Sequence, residues 1–214
     1  MPRAKRPASY HHGDLRRALV DAAIPLLRSG GAEALTLRAV AREAGVSQTA
    51  PYRHFADRAA LVAAVAEDGF RRLRARLITA VRAPAKATGK AQQTARGGLQ
   101  ALALAYVRFA LDHPEEYRVM FGSEVAASPA EEGSARQEVF ALLRGGIAAL
   151  QQQALVREGD ASTMALSAWS LVHGLAMLAL DGQLSDAQMP SADELTLEAT
   201  ELLMFGMATP ARTR

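Results

Sequence analysis

Residues 36–55 read "TLRAVAREAGVSQTAPYRHF". A threonine able to cap a helix comes first, and apolar Leu37, Val40, Ala41 and Ala44 follow at helical spacing. They predict a short helix over Leu37–Ala44, stopped by Gly45, because glycine enters left-handed backbone at no steric cost. Val46 fills the turn, Ser47 is an N-cap for a further helix, and Phe55 anchors its end. Pro51 then falls at the fourth helical position, where it removes one early backbone bond and fixes φ at a helical value. The three residues after it, Tyr52, Arg53 and His54, are not core residues. Their hydroxyl, guanidinium and imidazole donors suit phosphate oxygens.

Helix, glycine turn, helix is the pattern in which the second helix enters a major groove. Gln48 and Thr49 lie at that helix's N-terminal end, from which side chains reach base edges, and glutamine pairs two-pronged with adenine. The charge balance points the same way. Residues 1–60 carry ten Lys and Arg against five Asp and Glu and hold three of the five histidines, while residues 61–214 carry fifteen against seventeen. A basic front on a near-neutral remainder suits an anionic partner, although a solvated basic face is the plainer reading of charge alone.

Working outward, Leu15, Leu19, Ala22, Ala23, Leu26 and Leu27 trace one face of a first helix over about 14–29, ended by Gly30-Gly31 and interrupted by Pro25, which should kink it. A long helix is predicted from about Asp57 to Val81 and another from Leu99 to Asp112. Pro114 opens a short turn, "PEEYRVMF". "SPAE" (128–131) and "SARQ" (134–137) are competing capping boxes for a helix running to about Val156. Asp160 starts the next helix, and "SADE" (191–194) boxes the last. Gly-, Pro-, Ser- and Ala-rich stretches at 82–92, 122–134 and 182–193 read as connections. Alanine and leucine outnumber β-branched residues, which favours helix. The predicted fold is all-α: an N-terminal three-helix domain over 1–60 and a larger helical domain over 61–214, about nine helices in all.

Several function classes are set aside by composition. The chain of 214 residues has no cysteine, hence no disulfide framework, thiolate metal site or cysteine nucleophile. No phosphate-cradling glycine loop, serine elbow or paired helical metal ligands appear, so no enzyme, metal or cofactor is expected. No apolar run is read as a membrane span, and the basic N-terminus lacks an apolar stretch after it, which predicts a cytoplasmic protein. "RAKR" (3–6) is either an arm adding phosphate or minor-groove contacts or a solvated tail. "RRLRAR" (71–76) reads as a solvated helix face.

The segment "TLRAVAREAGVSQTAPYRHFADRAALVAAVA" resembles the DNA-binding part of tetracycline-repressor-like (TetR) transcriptional regulators, the likeness covering about residues 10–65. "AWSLVHG" (168–174) resembles the Trp-His-Gly signature of one branch of their regulatory domains. The resemblance implies a homodimeric repressor that leaves a palindromic, double-stranded operator when a small-molecule effector binds its C-terminal domain. It implies that Gln48, Thr49 and Ala50 face bases and that Thr36, Arg38, Tyr52, His54 and Arg58 touch phosphates. Two residues depart from the family pattern: Pro25 inside the first helix, and Arg58 where lysine is common.

In the C-terminal two-thirds, Trp169 and His173 stand one turn apart, and Met177 continues that face. His173 is either a pocket hydrogen-bond group or a satisfied core histidine, since no neighbouring ligands complete a metal site. Tyr106, Phe109, Tyr117, Met120, Phe121 and Phe140, with Trp169 and Met177, are core candidates. The family implies a ligand pocket among them. Ala161, Ala165, Ala168, Val172 and Ala176 form a small-residue stripe that lets another helix approach, either as a self-association seam or within the subunit. The family's dimer interface, built from the last two helices, favours the seam, to which Leu195, Ala199 and Leu202 would add. Readings from other classes are a helical enzyme, or an adaptor whose basic front docks on an acidic protein. An adaptor would show no preference for one DNA sequence.

Overall fold

A computed structural model of the chain describes residues 12–82, 91–127, 132–186 and 188–207. Among these residues there is no strand. Nine α-helices follow one another: α1 His12–Gly30, α2 Leu37–Glu43, α3 Arg58–Arg82, α4 Ala91–Asp112, α5 Pro114–Met120, α6 Ser123–Ala126, α7 Ala135–Gln152, α8 Ala161–Leu180 and α9 Ala192–Met207. The "RAKR" arm and "SPAE" lie outside the described residues.

The local signals act where they were read. Thr36 caps α2 by accepting from the Ala39 N–H at 3.1 Å. Gly45, at φ +68°, closes it: the Val46 N–H reaches the Ala41 carbonyl and the Gly45 N–H the Arg42 carbonyl. This double bond pattern is the Schellman ending of a helix. Asp57 caps α3 through the Ala60 N–H at 2.8 Å. Asp160 accepts from Ser162 and Thr163 at the start of α8, and Ser191 and Glu194 exchange bonds at the start of α9. Pro25 sits inside α1 without ending it.

Four expectations need correction. Residues 47–54 do not form an α-helix: after Ser47 the chain makes a turn and then a 3-10 helix, Pro51–Arg53. Pro51 has no N–H to give the Ser47 carbonyl, so it opens a new short helix instead of continuing one. The Ser47 hydroxyl meets Thr49 Oγ1 at 3.2 Å and caps nothing. α4 starts at Ala91, eight residues earlier than expected, because alanine, glutamine and arginine carry the helix up to and through Gly97-Gly98. "PEEYRVM" is a full two-turn helix, with α6 just beyond it in the supposed connection. α7 begins after Ser134, yet the Ser134 hydroxyl has no partner; Glu67 of α3 takes the Ala135 N–H at 3.1 Å in its place.

α3 organises the molecule. Twenty-five residues long, it spans about 37 Å at the helical rise. Its N-terminal Leu61 and Val65 share a core with Leu19, Leu27, Val40 and Phe55, and its Phe70 and Leu73 share the same core with Phe109 and Tyr117. The boundary expected at 60/61 thus falls in the first turn of a continuous helix and a continuous core. Gly69 makes room on α3 for α5: a Cβ there would stand 2.6 Å from Met120 Sδ. A smaller core gathers Ile147, Val156, Met164, Ala165 and Met207 at the far end of α7–α9.

α8 corrects the expectation about apolar runs. Its twenty residues hold no charge, and with a hydropathy of 1.5 it is long and apolar enough to cross a membrane by composition alone. Here it packs against α4, α7 and α9.

Candidate functional site

The outer surface of the head (residues 12–57) carries the predicted nucleic-acid residues. Thr36, Arg38, Gln48, Thr49 and Arg53 are exposed, and Ala50 and His54 are half-buried. Tyr52 leaves 54% of its surface in solvent, a high exposure for an aromatic side chain. Pro51 and Phe55, both buried, pin this segment from below. Among the described residues Arg38 and Arg53 have no ion-pair partner. Arg42, which sequence reading did not single out, also has none; it follows Arg38 by four residues on α2, so both guanidinium groups lie on one face.

Arg58 behaves otherwise. Its Nε donates to the Leu35 carbonyl at 2.9 Å, Nη2 to the Ala32 carbonyl at 2.7 Å, and Nη1 to both oxygens of Glu124 at 2.7 Å. The hydrogen bond to Glu124 holds its pKa above the ordinary arginine value. Instead of presenting an open fork to phosphate, Arg58 clasps the α1–α2 connection to α6. A second tie runs alongside. Glu116 of α5, almost fully buried, pairs with Arg28 of α1 at 3.1 Å and with Arg72 of α3. Such a carboxylate is tolerable inside only because both oxygens are matched by cations.

A cavity of about 750 Å³ lies between α3, α4, α7, α8 and α9. Of the eight pocket candidates, Tyr106, Phe140 and Trp169 line it. Phe109, Tyr117, Met120, His173 and Met177 do not. Phe109, Tyr117 and Met120 are buried in the main core, and Met177 packs on it. Sequence periodicity marks a helix face as apolar without saying which part of it faces a void. Phe121, also among the aromatics read from the sequence, lines it too; the residues missed were those on elements with weaker signals, among them Thr200 and Met204 on α9, and Arg136 and Arg144 on α7.

Behind the cavity wall stands a closed polar cluster. Trp169 Nε1–H donates to the Tyr106 hydroxyl at 2.9 Å, and the Tyr117 hydroxyl donates to it at 2.9 Å. His173 Nδ1 lies 2.7 Å from the Tyr117 oxygen and 3.2 Å from that of Tyr106. Burial pushes the Tyr106 hydroxyl up to about 12, pushes Tyr117 up further, and lowers His173 below its usual value. The cluster is therefore neutral near pH 7, and His173 is a satisfied, partly buried histidine.

The alanine stripe faces inward. Ala165 and Ala176 are fully buried within the subunit, and Ala168 and Val172 line the cavity. Ala161 packs beside the smaller core. On α9 Leu195 and Ala199 are half-buried, whereas Leu202 is 74% exposed and its neighbour Phe205 85% exposed. Leu166 and Leu178 are exposed on α8, with Ser170 and Gly174 between them at four-residue steps. The unpartnered apolar face is thus the opposite side of α8 from the stripe, joined by the outer edge of α9.

Residues 19–65 match the family described as bacterial regulatory proteins, tetR family, and residues 99–203 match the tetracyclin repressor-like C-terminal domain. No curated protein matches. The structure is similar to that of a protein with unknown function from Rhodococcus sp. RHA1, at 38% identity and a TM-score of 0.75, covering 94% of this chain and 98% of that one. It shares its fold with a TetR-family transcriptional regulator from Pectobacterium atrosepticum, at 22% identity and a TM-score of 0.70 over 94% and 97% of the two chains. It also shares it with AibR, whose structure holds isovaleryl coenzyme A and operator DNA, at 16% identity and a TM-score of 0.61 over 88% and 97%. With both the DNA-binding and the C-terminal family models matched along one helical chain, this protein belongs to the TetR family of DNA-binding transcriptional regulators.

Proposed function

We propose that the chain acts in the cytoplasm as a homodimeric repressor, released from a palindromic operator when a small molecule fills the 750 Å³ cavity. The observation that carries this reading is that one pair of short helices serves both ends. α5 and α6 hold the head through Arg28–Glu116 and Arg58–Glu124, and the same segment supplies Phe121 and Ala126 to the cavity wall. A ligand pressing on Phe121 would shift the groups that fix the heads. Two heads must meet successive turns of one DNA face, about 34–36 Å apart, so a small displacement costs affinity. That AibR is seen with both an operator and an acyl coenzyme A supports a cavity and an operator acting within one such fold.

In this reading Gln48, Thr49 and Ala50 face bases; Thr36, Arg38, Tyr52, Arg53 and His54 hold phosphates. The cavity takes an apolar or aromatic molecule with few polar groups. Dimerisation uses Leu166 and Leu178 of α8 with Leu202 and Phe205 of α9, and Gly174 lets the partner helix come close. The resemblance of "AWSLVHG" to the Trp-His-Gly signature supports reading the chain as a member of that branch. The test is selection of bound duplexes from a random pool, followed by the same selection with Gln48→Ala. The wild type should enrich a palindrome, and Gln48→Ala should change the preferred base at one position in each half-site. An unaltered sequence would remove Gln48 from base reading.

A further inference from the structure

The polar groups around the cavity are unequally engaged. The Trp169 N–H is given to Tyr106, the Thr200 hydroxyl to the Thr196 carbonyl at 2.7 Å, and Gln137 Oε1 accepts from the Gly133 N–H at 3.1 Å. The charged residues of the lining are Arg136 and Arg144, two turns apart on α7. Neither donates a hydrogen bond or forms an ion pair among the described residues. Among the described residues no Asp, Glu, Lys or His lines the cavity there. The acid next to Arg136 on the helix, Glu138, is taken by Arg74 of α3 at 3.1 Å. Asp160 senses Arg144 without pairing with it, and its oxygens are spent capping α8.

From this we infer that the effector is an amphipathic anion, its apolar body in the cavity and its carboxylate or phosphate head on the Arg136 and Arg144 guanidinium groups. The inference rests on the effector reading above and names the chemical class it requires. A guanidinium presents a planar fork of donors that matches a carboxylate or phosphate edge. Two forks with no internal acid raise the local potential, so a neutral ligand of equal size leaves them to water and a cation is repelled. Arg136 is half-buried at the apolar wall, where an anion gains more from it than from a solvated arginine. The void is large enough for a drug-sized ligand.

Trp169, the single tryptophan and part of the lining, supplies the probe. Decanoate, decyl phosphate, 1-decanol and decylamine share one chain length and differ in head group. Titrated into the full-length protein, the two anions should shift the Trp169 emission at concentrations about tenfold lower than the alcohol, and the amine should bind weakest. Whichever anion binds more tightly identifies the head group. Arg136→Gln should remove the advantage of the anion over the alcohol and leave alcohol binding in place, which reports that the cavity is still formed. Alcohol or amine binding as tightly as the anions, or Arg136→Gln leaving decanoate affinity intact, overturns the charge assignment while sparing the cavity. Tight anion binding without loss of the selected operator overturns the effector reading and leaves the ligand class standing. Binding of none of the four overturns both.

Discussion

In the head, Arg38, Arg42 and Arg53 reach solvent with no carboxylate in ion-pair range among the described residues, whereas in the body Arg76, Arg108 and Arg118 each lie within 2.7 Å of an aspartate. Those body pairs join α3 to α4, α4 to α9 and α5 to α8. Exposed ion pairs of this kind stabilise little individually, and their effect is mainly to fix how helices sit. Unpaired arginines gathered on one surface give the fold nothing and instead repel one another. Their use must come from outside, and a polyanion with regularly spaced phosphates supplies it. Net charge misses this distinction, since it counts both kinds of arginine alike.

The largest effect should come from parting the two subunits, because each head alone grips only a half-site. Leu202→Glu with Phe205→Glu places carboxylates in the middle of the exposed apolar face. Both side chains are solvent-facing in the subunit, so its fold should survive. Sedimentation should report monomer, and operator affinity should fall more than about a hundredfold, a loss near 3 kcal/mol. A dimer that persists would move the interface elsewhere. Next in size is the arginine contrast itself. Arg53→Gln should weaken specific and non-specific DNA alike, by about 1 kcal/mol, and flatten the salt slope by about one. Arg118→Gln, which removes a paired arginine of the body, should leave that slope unchanged.

Arg58 tests where the boundary between the two uses runs. As a clasp, it acts through Glu124, and Arg58→Ala and Glu124→Ala should shift operator affinity by similar amounts, about two- to fourfold. The double variant should then add little, and the salt slope should stay fixed. If Arg58 also reaches phosphate, Arg58→Ala alone will flatten the slope by about one. Both partners keep a third or more of their side chains in solvent, so the effect on stability should stay below about 1 kcal/mol.

Arg58 also illustrates what sequence can and cannot disclose. Thr36, Gly45, Asp160 and the Ser191–Glu194 box were legible because each acts within four residues of itself. The apolar spacing of Leu37, Val40 and Ala41 was legible for the same reason. Glu124 stands 66 residues from Arg58, and nothing in either neighbourhood announces the pairing. The inward turn of the alanine stripe was hidden likewise: spacing shows that Ala165 and Ala176 share a face, but which neighbour covers it depends on how α4, α7 and α9 pack. The 47–54 segment failed for a different reason. Ser47 and Pro51 are each compatible with a helix, and the missing N–H of Pro51 decides between continuing one turn and opening another.

The smallest effect concerns two helix endings built alike from unlike residues. α2 ends on Gly45, and α7 ends on Ala154 at φ +55°, with the Leu155 N–H on the Leu150 carbonyl at 3.0 Å and the Ala154 N–H on Gln151 at 2.9 Å. The hydrogen bonds repeat those around Gly45, so the motif is the same. Glycine announced the first ending in the sequence; alanine concealed the second, and α7 was expected to run on to Val156. A left-handed alanine carries a cost of about 1 kcal/mol that glycine does not. Against this, glycine adds freedom to the unfolded chain and so returns a few tenths to the unfolded state. Ala154→Gly should therefore stabilise by about 0.5 kcal/mol, raising Tm by about 1–2 °C, with operator affinity unchanged. Gly45→Ala is the mirror experiment. A Cβ there meets nothing within 4 Å, so the net loss of about 0.5 kcal/mol would be conformational alone. A fall in Tm for Ala154→Gly would mean that chain entropy outweighs the left-handed strain at that turn.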